Sequence, residues 1–142
     1  MKVFCLRSGR LGVVVALSLL GSALAAEQFP FDQELMLDAA PMRPGKHMPM
    51  LIVAPNGDAK IELWCKTVPA RVDVSESAVK IEAAPLPDAL PDMMGRDQCT
   101  PARIAADADL LADIVQSTEW KAQGSGLVLA GPKTLKFRLS DH

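Results

Sequence analysis

In this 142-residue chain, two cysteines are the residues whose side chains could most clearly do chemistry. Cys65 ends the segment IELWC, and Cys99 follows 34 positions later, directly before Thr-Pro. Such a pair can be a disulfide, part of a metal site or a redox couple. A redox couple is more often C-x-x-C, which is absent, and a zinc site would need two more ligands, for which only His47 and His142 exist.

The N-terminus bears on this choice because it predicts the compartment. Three basic residues, Lys2, Arg7 and Arg10, are followed by an apolar run over 11–20 and by Ala-Leu-Ala at 23–25. A positive start, a short apolar run and a small-residue site are typical of a secretory signal peptide. We therefore predict that residues 1–25 are a signal peptide, cleaved after Ala25, and that the protein is periplasmic or secreted.

Cleavage changes what remains of the chain. It removes three basic residues and no acidic one, so the net charge moves from −2 to −5. There is no basic stripe, so no nucleic-acid partner is predicted. Cys5 precedes the apolar run, which argues against a lipoprotein, and we predict no membrane span after cleavage. The remaining length predicts one domain with a modest core.

Cleavage also leaves two cysteines in an exported protein. An even count in an oxidising compartment favours a disulfide between Cys65 and Cys99 over two free buried thiols. In the chain-entropy model a loop of this length stabilises the fold by about 3.8 kcal/mol.

Catalytic constellations are sparse in this sequence. A Ser-His-Asp site needs a positioned histidine, and the candidates are His47 in a Pro/Gly loop and His142 at the terminus. Gly-Ser-Gly at 124–126 is predicted to be a hairpin turn rather than a nucleophile elbow. Asp109 and Asp113 are four residues apart on a predicted helix, which favours a solvated face over a carboxylate pair. We therefore predict neither an enzyme nor a cofactor.

A cluster of methionines around one histidine is the second candidate site. Met36, Met42, Met48 and Met50 are four of the six methionines that follow the signal peptide, and His47 lies among them. Thioether and imidazole ligands suit Cu(I), so Met42, His47, Met48 and Met50 are a candidate copper site. The alternative is that these methionines fill gaps in the core.

Short segments with alternating apolar and polar residues predict β-strands along most of the chain. Between two of them, Pro-Asn-Gly-Asp at 55–58 suits a hairpin turn with positive φ. In the last segment Leu135, Phe137 and Leu139 share one face. The predicted strands are 34–37, 49–54, 59–65, 70–75, 79–83, 118–123, 126–131 and 134–140.

One helix is predicted over about 101–117. Thr100 is a good N-cap, and Pro101 suits the first helical position. An apolar stripe is expected to face the core, and the aspartates to lie on other faces. The stripe consists of Ile104, Ala108, Leu111 and Val115, and the aspartates are Asp107, Asp109 and Asp113.

These elements predict a mainly β (α+β) fold. We expect a curved, partly barrel-like antiparallel sheet of two hairpins and a C-terminal three-strand meander, with the helix covering it. A disulfide between Cys65 and Cys99 would tie the end of the first hairpin to the start of the helix. A curved sheet can enclose a ligand pocket, lined here by residues such as Ile61, Val72, Val128 and Phe137; alternatively, these residues fill the core.

The chain resembles the META domain family, which includes heat-shock-associated HslJ-like proteins. The motifs are NGDAKIELWCKT, then QCTPARIAADADLLADIVQST, then EWKAQGSGLVLAGPKTLKFRL, within about 50–140. The family commonly has Cys-Asn and glycines after the first cysteine, where this chain has Cys65-Lys66-Thr67. The resemblance implies a small, partly barrel-like fold in exported proteins, with paired cysteines and no established enzymatic activity. Members are associated with secretion, motility, stress and drug tolerance.

The predicted organisation is a signal peptide (1–25), an N-terminal strand and loop (26–48) and a META/HslJ-like domain (49–142). The predicted function is that of an exported, non-enzymatic protein of the cell envelope, with a role in interaction or stress protection. The alternative is a periplasmic module that binds a small ligand or copper through the Met/His loop 36–50. The expected partner is accordingly an envelope protein or a small ligand, and no oligomeric state is predicted.

Overall fold

The computed structural model describes residues 28–90 and 98–141, so the predicted signal peptide lies outside the described residues. Within the described ranges the chain forms eight β-strands and one helix, which confirms the predicted mainly β class. The strands are β1 (Leu35–Leu37), β2 (Met50–Val53), β3 (Asp58–Glu62), β4 (Thr67–Val74), β5 (Val79–Ala83), β6 (Glu119–Gln123), β7 (Gly126–Ala130) and β8 (Thr134–Leu139), and the helix α1 is Pro101–Val115.

All eight strands belong to one antiparallel sheet in the order β5-β4-β3-β2-β1-β8-β7-β6. The two predicted hairpins are joined directly, because β3 also pairs with β4, where Ile61 lies opposite Val68. The short strand β1 connects the two halves of the sheet: Leu35 lies opposite Leu51 of β2 on one side and Leu139 of β8 on the other. The N-terminal segment therefore shares the sheet with the strands that follow it.

The outer strands β5 and β6 approach each other and nearly close the sheet into a barrel. An isolated bridge joins Ala78 to Glu119. Beside it, the Val79 amide donates to the Thr118 carbonyl at 2.9 Å, and the Trp120 amide donates to the Ser77 carbonyl at 3.0 Å. The Trp120 indole Nε1–H also donates to a carbonyl, that of Ser75, at 2.7 Å. These bonds satisfy edge groups that would otherwise remain open.

The alternating strand pattern buries one face of the sheet in a single core. Leu35, Val53 and Ile61 have no exposed surface, and the Phe29 ring packs edge-on to Trp120 with 5.2 Å between centroids. Of the four residues proposed to line a pocket, Ile61, Val72 and Phe137 belong to this buried cluster. The prediction for Val128 was wrong: it lies opposite Lys136, half-buried, on the other face of the sheet.

Local signals at the turn and at the helix cap are confirmed. Gly57 has φ of 94°, and the Asp58 amide donates to the side-chain oxygen of Asn56 at 3.0 Å. Thr100 caps the helix by accepting from the Arg103 amide at 3.4 Å. None of the described helices is long and apolar enough to cross a bilayer.

The predicted buried face of α1 was wrong by one position. Within the predicted stripe, Ala108 is exposed, Val115 is 37% exposed, and Ile104 and Leu111 are only half-buried. One step along the helix turns a side chain by about 100°, so the neighbouring set points into the protein instead. The buried helical residues are Arg103, Asp107, Leu110 and Ile114.

This orientation predicts that truncating two adjacent residues affects stability very differently. Ile114→Ala should lower the free energy of unfolding by about 2–4 kcal/mol, because it empties a fully packed position. Val115→Ala should change it by no more than about 0.5 kcal/mol, as is usual at the surface. Urea unfolding of both variants measures the difference. A larger loss for Val115→Ala would show that the stripe, and not Ile114, faces the core.

Candidate functional site

Three segments meet where α1 begins: the helix itself, the turn 63–66 between β3 and β4, and the loop 43–48 before β2. We call this region the helix–turn junction. The Cys65–Cys99 disulfide joins the turn to the residue before the N-cap, with 5.8 Å between the Cα atoms. Both cysteines are buried. The predicted disulfide is therefore confirmed, and it pins the helix to the sheet.

Asp107 makes the second connection between helix and turn. Its side chain has no exposed surface. One carboxylate oxygen accepts from the Lys66 amide at 2.8 Å, and the Cys65 amide lies 3.1 and 3.2 Å from the two oxygens. Backbone amides in a buried turn need acceptors that the sheet does not supply. Asp107 supplies them from 41 and 42 residues away.

Burial sets the protonation behaviour of this carboxyl group. Desolvation raises the pKa of Asp107 above its ordinary value, and it outweighs the hydrogen bonds from the Lys66, Cys65 and Trp64 amides and the charge of Lys66, which all lower the pKa. Loss of water disfavours the charged form, whereas amide donors favour it.

Arg103 makes the third connection. It is 1% exposed, and its Nη2 donates to the Trp64 carbonyl at 3.0 Å and to the His47 carbonyl at 3.5 Å. Its Nη1 donates to the Gln98 carbonyl at 2.9 Å. The Nε–H is buried and has no acceptor in the described part of the chain. One guanidinium thus holds the loop, the turn and the residue before Cys99.

The two buried charges do not pair with each other. Arg103 and Asp107 are four residues apart on one helical face, yet they form no ion pair within the described ranges. Backbone carbonyls surround the cation and backbone amides surround the anion. Both side chains therefore hydrogen-bond to backbone groups of the turn 63–66. Each charge is stabilised chiefly by peptide dipoles.

The loop 43–48 is shaped to receive the guanidinium. A Cβ atom on Gly45 would overlap the Arg103 Nη1, so this position requires glycine unless the arginine moves. The His47 Nε2 lies 3.0 Å from the Leu63 carbonyl, which ties the loop to the same turn. Glycine is selected here by close approach and not by a positive φ.

The candidate copper residues lie in or next to this loop. Met42 and Met48 pack against the core, and His47 is bonded to the turn. Met50 lies opposite Met36 on neighbouring strands. In the described residues no group of three or more His, Cys, Asp or Glu side chains could hold a metal. The contacts agree with the packing alternative, and copper binding stays a prediction.

The side chains considered for catalysis are placed apart from one another. Ser125 is exposed in the two-residue turn between β6 and β7, as expected for a hairpin. Asp113 lies 3.4 Å from Lys133, and Asp109 is exposed. His142 lies outside the described residues. Surface depressions of about 350, 210 and 600 Å³ also lie away from the junction, at 32–34 with 139–140, at 73–80, and at 116–119 with 130–132.

The sequence analysis missed Arg103, Asp107 and Gly45. It placed Asp107 with Asp109 and Asp113 on faces other than the one that packs on the core, which was wrong for Asp107. A signal was present, because Arg103 and Asp107 continue the i, i+4, i+7, i+11 spacing of Leu110 and Ile114. The spacing was missed because two of its four positions hold charged residues, and the buried face was sought among apolar residues.

No protein family and no curated protein sequence matches this chain. A solved NMR structure aligns with 80% of the chain and 96% of its own length, with a TM-score of 0.55 and 16% identity. That similarity supports the fold alone. Membership of the META family therefore stays a prediction.

The junction predicts that Asp107 stabilises the fold and that its neighbours do not. Asp107→Ala should lower the free energy of unfolding by about 2–4 kcal/mol, because it leaves buried amides without an acceptor. Asp109→Ala, on the exposed side of the same helix, is the matched control and should change it by less than about 0.5 kcal/mol. Equal losses in denaturant unfolding would contradict this role for Asp107.

The raised pKa of Asp107 predicts a pH dependence. Between the unfolded and folded pKa values the folded state binds more protons, so this group adds stability as the pH falls through that interval. The free energy of unfolding of the native protein minus that of Asp107→Asn should therefore increase on acidification from pH 7 towards about 4. A difference that shrinks on acidification would mean that the pKa is lowered.

Proposed function

We propose that this protein is an exported, non-enzymatic component of the cell envelope that acts by interaction or protection. The observation that carries the proposal is the buried Cys65–Cys99 disulfide. Disulfides form and persist in oxidising compartments such as the periplasm. The predicted signal peptide and the resemblance to exported META proteins support the same location.

The use of the buried charges supports a scaffold. Arg103 and Asp107 form hydrogen bonds with backbone groups of the turn and the loop, and the His47 side chain also bonds to the turn. These contacts favour stability over turnover, because a general base or nucleophile must present a free atom to a substrate. We infer that the barrel presents its surface to a partner.

The disulfide, by closing a loop of 34 residues, would keep this surface intact where chaperones and reducing agents are scarce. Small exported domains often supplement a modest core in this way. A protein that protects the envelope under stress would need a fold that stays intact under those conditions.

Intact mass of the protein recovered separately from the periplasmic and the cytoplasmic fractions tests the proposal. The sample is denatured with an alkylating agent and without reductant, and a reduced sample serves as the control. We expect a mass equal to residues 26–142 less two hydrogens and no alkylation, against two alkylated thiols in the control. A full-length chain with free, alkylated thiols, retained in the cytoplasm, would overturn the proposed location and with it the proposed function.

A further inference from the structure

Three cationic residues lie on the loop and the turn that form the helix–turn junction. Arg43 and Lys46 lie within two residues of Gly45, which contacts the Arg103 guanidinium. Lys66 follows Cys65 in the turn that Arg103 and Asp107 hold. Arg43 and Lys46 are exposed and Lys66 is half-buried. The folded chain thus brings together cations that are up to 23 residues apart in the sequence.

None of these three cations forms a salt bridge within the described ranges, although the protein has more acidic than basic residues. Four other cations of the barrel are neutralised by a neighbouring carboxylate. The pairs are Lys60–Glu62, Arg71–Asp58, Lys80–Glu82 and Lys133–Asp113. Asp107, the acidic side chain inside the junction, is buried, and its oxygens accept from the turn amides. The positive charge of Lys66 also acts on it. Arg43 and Lys46 are therefore exposed without a salt bridge in the described chain, and the acidic group that Lys66 acts on is the buried Asp107.

The helix adds to this positive pole. Its 15 residues begin at the junction, and its first turn contains no acidic side chain. A helix N-terminus carries roughly half a positive charge and favours anions. Asp or Glu in the first turn would offset this charge, and the first turn of α1 contains neither.

A buried donor without an acceptor is the independent indication of a ligand. The Nε–H of Arg103 lies in the junction, on a side chain that is 1% exposed, and it has no partner in the described chain. An unsatisfied buried donor is costly, so such an atom calls for an acceptor beyond those that the described residues supply. Oxyanions and water both offer acceptor oxygens, but only an oxyanion would also neutralise the surrounding cations.

We propose that the helix–turn junction binds a phosphate-type oxyanion through Arg43, Lys46 and Lys66, at the N-terminus of α1. The phosphate group belongs either to a small soluble ligand or to a lipid headgroup. This inference rests on the proposed function and deepens it, because it names the chemical class of the partner. Arginine and lysine are the side chains that bind phosphate most strongly.

Amide NMR of the purified, oxidised protein tests the site. Inorganic phosphate is titrated against chloride at fixed ionic strength, so that screening stays constant. We expect saturable shifts at the amides of Gly45, Lys66 and Arg103. Shifts that are absent, unsaturable or spread evenly over the barrel would overturn the site.

Two triple variants with the same charge change separate a site from general attraction. Arg43→Ala/Lys46→Ala/Lys66→Ala should weaken phosphate binding on the order of tenfold or more, because charge-assisted contacts are lost. Lys121→Ala/Lys136→Ala/Arg138→Ala removes one arginine and two lysines that are exposed and unpaired in the described chain, and should leave binding unchanged. Equal weakening in both would overturn the proposal. Thermal unfolding of each variant verifies that it is folded.

Vesicles identify the source of the phosphate group. Co-sedimentation with phosphatidylglycerol vesicles but not with phosphatidylcholine vesicles, lost in the junction variant alone, would identify a lipid headgroup. Saturable binding of inorganic phosphate without co-sedimentation would identify a small soluble ligand. Failure of both overturns the inference. These experiments use purified protein, so they can fail while the mass measurement supports export, and they can succeed while it does not.

Discussion

The rest of this structure depends on the hydrogen bonds that the Cys65 and Lys66 amides donate to the Asp107 carboxylate. These bonds fix which face of α1 points inward, and they bring Arg103, one turn earlier, over the Trp64 carbonyl. With the helix in that orientation, Cys99 lies beside Cys65 and the disulfide can form. Three connections of different chemistry thus converge on four residues of one turn.

The barrel needs this anchorage because its closure is slight. Strands β5 and β6 meet through one bridge and a few hydrogen bonds near Trp120, while α1 connects them along the chain. The short strand β1, between β2 and β8, joins the two halves. A helix fixed at its start by the junction and continued directly into β6 limits how far the two outer strands can separate.

The helix–turn junction both stabilises the fold and carries cationic residues beside its buried contacts. Burying Arg103 and Asp107 is costly, and the cost is partly offset because peptide groups accept from both Nη atoms of Arg103 and donate to both oxygens of Asp107. The exposed cations around them have no such role in the described contacts. If the junction binds an anion as proposed, the buried contacts of Arg103 and Asp107 would hold the surrounding cations on a fixed frame, and complementary charge would orient the partner.

The sequence alone located the eight strands to within about three residues, with β3 ending at Glu62 and β4 beginning at Thr67 as the largest differences. It also determined the Asn56-Gly57 turn, the Thr100 cap and the pairing of Cys65 with Cys99, because turn chemistry, capping and cysteine count are local or countable properties. It did not determine the inward face of α1: an apolar stripe through Leu111 and Val115 predicted one face, and the fold buried Arg103 and Asp107 instead. It also gave no indication that Gly45 must admit a guanidinium. Only the tertiary structure decided these features, because a buried charge is stable only when backbone partners about 40 residues away are brought to it.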